Sequence, residues 1–374
     1  MSEASFNIRY SDEQAMLADT AVSFLRSKST FEHVRRYIGD AAGYDPDLWK
    51  EMADLGWLGI ALPEEHAGAG LGAAELVSVC EPMGQYLMAS PFLATTLAGQ
   101  ALLRAGSEEQ KQAWLPRIAS GEAIATLALS EPDGSWEPEG FAAKAETRGE
   151  GYRLSGTKTL VLDGQNADLV LIAVTLDGVP ALLAAETERL AGRLRSEILV
   201  DETRRSARLD LDGLELPASA RLEDHATDAL RYVYSLAWLL LAAEQAGGAN
   251  GVFDLTLDYV KTRKQFGKVI GGYQAIKHPM VDIMMEIENT RSLLYYAATV
   301  FDGPGGESGI AARMAKAYAT DAFRHAADRS IQFHGAMGFT YECHAQLFFR
   351  RAQWARHSFG DAAHHRRHLA DLML

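Results

Sequence analysis

One cationic, aromatic turn carries the residue types best suited to holding a ligand. Arg263-Lys264-Gln265-Phe266-Gly267-Lys268 ends a helix-like stretch, and Gly271-Gly272-Tyr273-Gln274 leads into a second stretch rich in Met and Ile. A planar guanidinium, an amide and an aromatic ring on one turn suit a ligand that bears both phosphate and a ring. A second glycine-punctuated segment follows at Gln332-Phe333-His334-Gly335-Ala336-Met337-Gly338-Phe339. Each segment also has a plain structural reading. Arg at a helix end complements the dipole, and Gly335 and Gly338 suit a tight helix junction.

Other motifs point away from common chemistries. Gly68-Ala69-Gly70-Leu71-Gly72-Ala73 fits a dinucleotide fingerprint in form only, because its lead-in holds Pro63 and charged residues where a strand is required. A flexible surface loop is expected there. His364, His365 and His368 lie beside Asp361 without further carboxylates or Cys at ligand spacing, so a solvated helix end is expected and no metal. No P-loop, metalloprotease helix or G-x-S-x-G elbow occurs.

A chain of 374 residues needs two or three domains or layers. With 48% hydrophobic and 23% charged residues it has an ordinary globular composition. A net charge of −14 argues against nucleic acid or an anionic membrane as partner, although a local basic patch still suffices for a phosphate. Cys80 and Cys343 lie far apart and form no C-x-x-C motif, so two free, buried thiols in a reducing cytoplasm are expected. The N-terminus lacks a basic-then-apolar leader pattern. No apolar run reaches the length of a membrane span, and the longest, Leu236 to Ala243, reads as a buried helix.

The elements that must position these residues change type twice along the chain. From Ser11 to about Ser120 the pattern is helical, with Ser11 as a cap before an acidic first turn. Between Ala123 and about Leu222 short apolar stretches alternate with turns at Gly156, Gly164, Asp177-Gly178 and Asp212-Gly213, which reads as strands. Long amphipathic helices return over Leu230–Lys261, Gln274–Phe301 and Gly309–Ile331, with a last segment from Asp361. Segregated elements imply an α+β fold in separate layers rather than a doubly wound sheet.

Motifs and element order together resemble the acyl-CoA dehydrogenase family. Phrases such as DPDLWKEMADLGWLGIALPEEHAGAGLG and GSEEQKQAWLPRIASGEAIATLALSE extend the likeness over nearly the whole chain. The resemblance implies an N-terminal all-α domain (1–121), a middle β-barrel domain (122–223) and a C-terminal four-helix bundle (224–374). It also implies FAD as cofactor and an acyl-CoA thioester as substrate. Arg263, Gln265, Phe266, Gln332, Gly335 and Gly338 then hold the diphosphate and adenosine end of an FAD bound mainly by a neighbouring subunit. Leu129 and Ser130 stand where a strand meets the flavin's pyrimidine edge, with Ser130 in place of the usual Thr, and Ser135 remains from a shortened phosphate loop.

Departures from the family pattern matter as much. Leu160 replaces the usual Trp, and Leu162 replaces a Thr whose hydroxyl normally meets N5 of the flavin. The usual catalytic Glu aligns with Phe359, and its alternative position on an earlier helix aligns with Ala237, next to Ser235 and Trp238. Two carboxylates are substitute bases. Asp361 lies two residues beyond Phe359, or else it caps the last helix. Glu244 stands alone in an apolar run two turns after Ala237, where it must be paired or have a raised pKa. The resemblance therefore implies one degenerate subunit of an unlike pair, of the kind that includes steroid side-chain dehydrogenases. The alternatives are a self-sufficient homo-oligomer using Asp361 or Glu244, and a non-catalytic scaffold. An electron-transferring flavoprotein is the electron acceptor that the family implies.

Overall fold

The computed structural model describes residues 11–137, 140–223, 225–303 and 307–373. Six helices come first: α1 (Asp12–Lys28), α2 (Phe31–Ile38), α3 (Pro46–Asp54), α4 (Ala73–Gln85), α5 (Phe92–Ala105) and α6 (Glu108–Ala119). Nine strands follow: β1 (Ala125–Ala128), β2 (Lys144–Arg148), β3 (Gly151–Ser155), β4 (Thr157–Leu162), β5 (Leu169–Leu176), β6 (Val179–Glu186), β7 (Leu194–Glu197), β8 (Ser206–Asp210) and β9 (Leu214–Pro217). The chain then forms α7 (Ala226–Thr262), the small strands β10 (Lys264–Gln265) and β11 (Lys268–Val269), and helices α8 (Gln274–Phe301), α9 (Ser308–His334), α10 (Ala345–His357) and α11 (Ala362–Met373). The expected α+β order of helices, strands and helices is what the chain adopts.

Local sequence explains the helix starts. Ser11 and Ser107 each accept a hydrogen bond from the backbone three residues on, and Gln14 and Gln110 reach back to the cap N–H groups, closing two capping boxes. Asp45 caps α3 with Pro46 at its first position.

The residues pack as two compact units. One comprises residues 35–72 and 89–237. Its six-stranded sheet runs β1-β5-β2-β3-β9, with β6 on the other side of β5. β1 and β5 pair in parallel and are almost wholly buried, which is why both read as near-continuous apolar runs. The second sheet, β4-β8-β7, is antiparallel and carries a register shift between Lys158 and Val161. It meets β1 through Thr126, whose hydroxyl donates to the Leu162 carbonyl at 2.5 Å. The loop at Gly68 is folded down rather than free. Ala69, Gly70 and Leu71 donate backbone bonds to Gly59, Leu62 and Ile60, and a Cβ on Gly68 would sit 2.0 Å from the Leu62 carbonyl oxygen.

The other unit comprises residues up to 34, 73–88 and 238–374. Here α9 packs against α8, α10 and α11, and α4 packs against α1 and α8. Helices α4 and α7 touch backbone to backbone. A Cβ on Gly84 would lie 1.9 Å from the Glu244 carbonyl oxygen, and one on Gly247 would lie 1.7 Å from that of Glu81. Across α7 and α9, Gln245 donates to Thr320 at 3.1 Å and Thr256 to Ser330 at 2.7 Å. Glu81 ties α4 to α8 by accepting from Arg291 at 2.7 Å and from Tyr295 at 2.9 Å. Cys80 is buried as expected, but Cys343 is only half-buried, and neither is in a disulfide.

Gly247→Ala tests the close crossing. Alanine favours a helix by about 1 kcal/mol over glycine. Against that gain, forcing the backbones apart costs about 1–3 kcal/mol or more. Urea denaturation is expected to show net destabilisation. A more stable variant would mean that the helices do not approach so closely.

Candidate functional site

The Arg263–Lys268 segment forms a hairpin with a two-residue turn. Gln265 pairs with Lys268 and Lys264 with Val269, leaving Phe266 and Gly267 at the tip. Both tip residues have positive φ, 51° and 82°, the backbone sense that matches the twist of a two-residue hairpin. Glycine adopts it freely, whereas for phenylalanine it is a strained exception. Phe266 is also 94% exposed. A large apolar ring held outward in a strained backbone has no packing role within its own subunit. Arg263 and Gln265 are exposed beside it.

The second motif lies at the C-terminal end of α9, and one stacked pair connects it to the hairpin. Tyr259, a turn before Arg263, stacks on His334 with ring centroids 4.2 Å apart. The His334 Nδ1 is 2.8 Å from the Ser330 carbonyl, so it donates there, and burial lowers the pKa of the ring. A neutral imidazole results. Gln332 and Gly335 are exposed. Gly335 has φ 62° and ψ −143°, a conformation that glycine alone adopts readily, with nothing within 4 Å of where a Cβ would be. Gly338 is required by packing instead, because a Cβ would lie 2.4 Å from the Ile331 carbonyl oxygen.

At the expected base position Phe359 is 5% exposed and has φ 56°. Its turn is fastened from several helices. Trp238 on α7 donates to the Phe359 carbonyl at 3.0 Å. Lys316 on α9 donates to Thr320 and to the carbonyls of Ala355 and Gly360 at 3.0, 3.0 and 3.4 Å. Burial lowers Lys316 to about 7, against the opposing pull of Asp361. His365 is fully buried beside Arg313, whose guanidinium lies 3.3 Å from its Nδ1, so the helix end expected to be solvated is not so at this residue. Burial, with the charges of Lys316 and Arg313, lowers His365 to about 2 and keeps it neutral.

Neither carboxylate is idle. The Glu244 carboxylate accepts from Arg351 on α10 at 2.5 Å, and both side chains are buried. Asp361 accepts from the backbone N–H of His364 at 2.8 Å, as the N-cap of α11. That bond, with nearby Arg356 and His357, holds its pKa below the usual carboxylate value. A depressed pKa makes a weak base.

In the strand-rich unit, Ser130 follows β1 and is 3% exposed, and its hydroxyl has no hydrogen-bond partner. Its backbone is clamped. Lys158 donates to the Leu129 carbonyl at 3.1 Å and Thr159 N–H to the Ser130 carbonyl at 2.9 Å. Lys158 is fully buried against Glu131 at 2.7 Å, and burial lowers it to about 8 in spite of that carboxylate. Leu160 sits in the bulge with φ 51° and its side chain 40% exposed. Ser135 lies in an exposed turn, where its N–H donates to Asp133 and its hydroxyl accepts from the Glu137 N–H.

Residues 11–122 match the family description "Acyl-CoA dehydrogenase, N-terminal domain", and residues 236–374 match "Acyl-CoA dehydrogenase, C-terminal domain". Acyl-CoA dehydrogenase IpdE2 of Mycolicibacterium smegmatis is 30% identical over 94% of this chain and 95% of its own length. The chain belongs to the acyl-CoA dehydrogenase family. Among solved structures, a Tcur3481–Tcur3483 steroid ACAD variant superposes with a TM-score of 0.86 at 29% identity, over 97% of this chain and 98% of that one. A chain of the ChsE4–ChsE5 complex from Mycobacterium tuberculosis gives 0.88 at 26% identity, over 98% of each. FAD is the cofactor that goes with this family. The residues present fit its nucleotide end well, through the outward hairpin and the glycine-only backbone at Gly335. At the ring end, Ser130 offers an unpartnered hydroxyl, whereas Leu160 and Leu162 offer none.

Lys268 and Tyr273, both within the sequence motif, brace the hairpin's turn, and Tyr259, outside it, supports its base. An aromatic one turn before Arg263 was the available signal for Tyr259.

Two expectations follow. Arg351→Met strands the buried Glu244 carboxylate and costs about 3–5 kcal/mol, while adding Glu244→Gln recovers part of the loss. A double-mutant cycle by urea denaturation checks this, and additive losses would rule out the pairing. Asp163, raised to about 6 by burial, titrates near 3.9 when unfolded, so the folded state holds its proton more tightly. Stability present below pH 4 is therefore lost as pH rises through 6, by about 2–3 kcal/mol. Asp163→Asn should raise the melting temperature at pH 8 much more than at pH 4.5. Equal shifts at both pH values would refute the assignment.

Proposed function

We propose that this chain is one subunit of an FAD-dependent acyl-CoA dehydrogenase assembled from unlike chains. It lends Arg263, Gln265, Phe266, Gln332, Gly335 and Gly338 to an FAD seated mainly in its neighbour. The observation that carries this reading is the strained, outward Phe266 hairpin, which has no packing role in its own subunit. The arrangement at Phe359 supports the same division of labour. A buried phenylalanine stands where the family places its carboxylate, and Glu244 and Asp361 are engaged by Arg351 and by the α11 backbone. Proton abstraction α to the thioester then falls to the partner's carboxylate, and FAD, when bound, would supply the hydride acceptor.

Within this reading Arg263 supplies a phosphate contact through its fork. Gln265 adds an amide bond, Phe266 covers a ring face and excludes water, and Gly335 lets the ligand approach the backbone. A bulky acyl-CoA of steroid type is the substrate class we propose, on the strength of the similar steroid ACAD structure. An electron-transferring flavoprotein takes up the electrons. The family's three domains, 1–121, 122–223 and 224–374, are the working division of the chain.

The test is flavin absorbance of the chain purified alone and with a co-expressed relative that carries the missing Glu. The expected result is a colourless chain alone and a yellow complex, from which Arg263→Ala removes most of the flavin. A yellow homo-oligomer formed by the chain alone would favour a self-sufficient enzyme using Asp361 or Glu244. Absence of flavin beside every relative would favour a scaffold.

A further inference from the structure

We infer that Tyr273 is the positioning residue that holds the Phe266–Gly267 turn in its outward, ligand-facing geometry. This rests on the reading of the hairpin as a flavin-nucleotide contact and names what makes that contact possible.

The turn needs such a residue for a physical reason. A bulky side chain at positive φ stores of order 1–3 kcal/mol and persists only where its surroundings over-determine it. The tip has little of that kind nearby. Phe266 is 94% exposed, and nothing lies within 4 Å of where a Cβ on Gly267 would be. The hairpin ladder is two residue pairs long, closed at its base by the Ile270 N–H donating to the Arg263 carbonyl at 2.8 Å. Two-stranded ribbons of this size are marginal on their own.

Tyr273 supplies the missing hold on both sides of the turn. Its hydroxyl donates to the carbonyl of Gln265, the last residue before the tip, at 3.1 Å. The ammonium of Lys268, the first residue after the tip, lies 4.0 Å from the centroid of its ring. One side chain thus grips the two residues that flank the strained pair. Tyr273 is itself rooted. It is the N-cap residue of α8 in extended backbone, its N–H bonds to Ile270, and its carbonyl starts the helix by accepting from Lys277. Its side chain caps nothing. The phenol is spent on the hairpin.

The experiment titrates FAD into the flavin-stripped oligomer, homo- or heteromeric, and follows fluorescence quenching for wild type, Tyr273→Phe, Tyr273→Leu and Arg263→Ala. Tyr273→Phe keeps the ring under Lys268 and loses one hydrogen bond, so FAD affinity should fall about 3- to 10-fold. Tyr273→Leu loses the ring contact as well and should fall about tenfold or more. Native mass and the melting temperature of the flavin-free oligomer should stay at wild-type values, which a merely structural tyrosine would not allow. Wild-type affinity in both tyrosine variants, with Arg263→Ala still releasing FAD, overturns the role of Tyr273 alone. Wild-type affinity in Arg263→Ala as well overturns the hairpin reading with it. Should Tyr273→Leu not fold, Tyr273→Phe decides the matter.

Discussion

The helical unit depends on the backbone contact between α4 and α7. Gly84 and Gly247 let two helices approach until carbonyl oxygens lie where side chains normally stand. At that separation Glu244 has its carbonyl against α4 while its carboxylate turns to Arg351 on α10, so one residue registers three helices. Toward its C-terminus α7 is bonded to α9 by Gln245, Thr256 and the Tyr259–His334 stack. The hairpin therefore grows from the end of a helix whose rotation and height are already set. Helix propensity contributes little here, because α7 contains three glycines in its middle, and packing decides.

Around Phe359 the same unit holds charge without the usual exchange. Lys316 is buried and bonded to neutral oxygens, and Arg313 lies over the face of Trp238, 3.8 Å from its ring centroid. Lys316 fastens a turn with two successive positive φ values, and Arg313 packs on the Trp238 ring that donates to the same turn. A carboxylate placed in this turn would change the charge balance of the whole cluster. The phenylalanine at this position is thus matched by its neighbours rather than being an isolated substitution.

Much of the fold could be read from sequence because it is specified locally. The cap at Ser11, the turns at Gly156 and Asp177-Gly178 and the continuous apolar run of β5 each rest on residues within a turn of one another. What escaped the reading is specified at a distance. Strand β2 is mostly exposed and β7 has no buried residue, so neither shows an apolar pattern. Glu244 had two readings because its partner lies 107 residues away. His365 looked solvated because its burial comes from α9, which the local pattern of α11 does not reveal. The loop at Gly68 looked free because Gly68 serves a close approach to Leu62 that its local pattern does not reveal. In the candidate site the residues of the exposed hairpin were visible by type, but the contacts of Tyr273 across its turn were not.

The hydrogen bonds and the cation–π contact that close the turn itself join residues between Arg263 and Tyr273. On the proposed reading, the turn is therefore shaped before any second subunit or nucleotide arrives. Docking then requires no fresh loss of backbone entropy at the tip, and more of the contact energy is left to appear as affinity. In kinetic terms, encounter becomes a matter of orientation rather than of waiting for a loop to order, which favours fast capture and places the discrimination between partners in the off-rate.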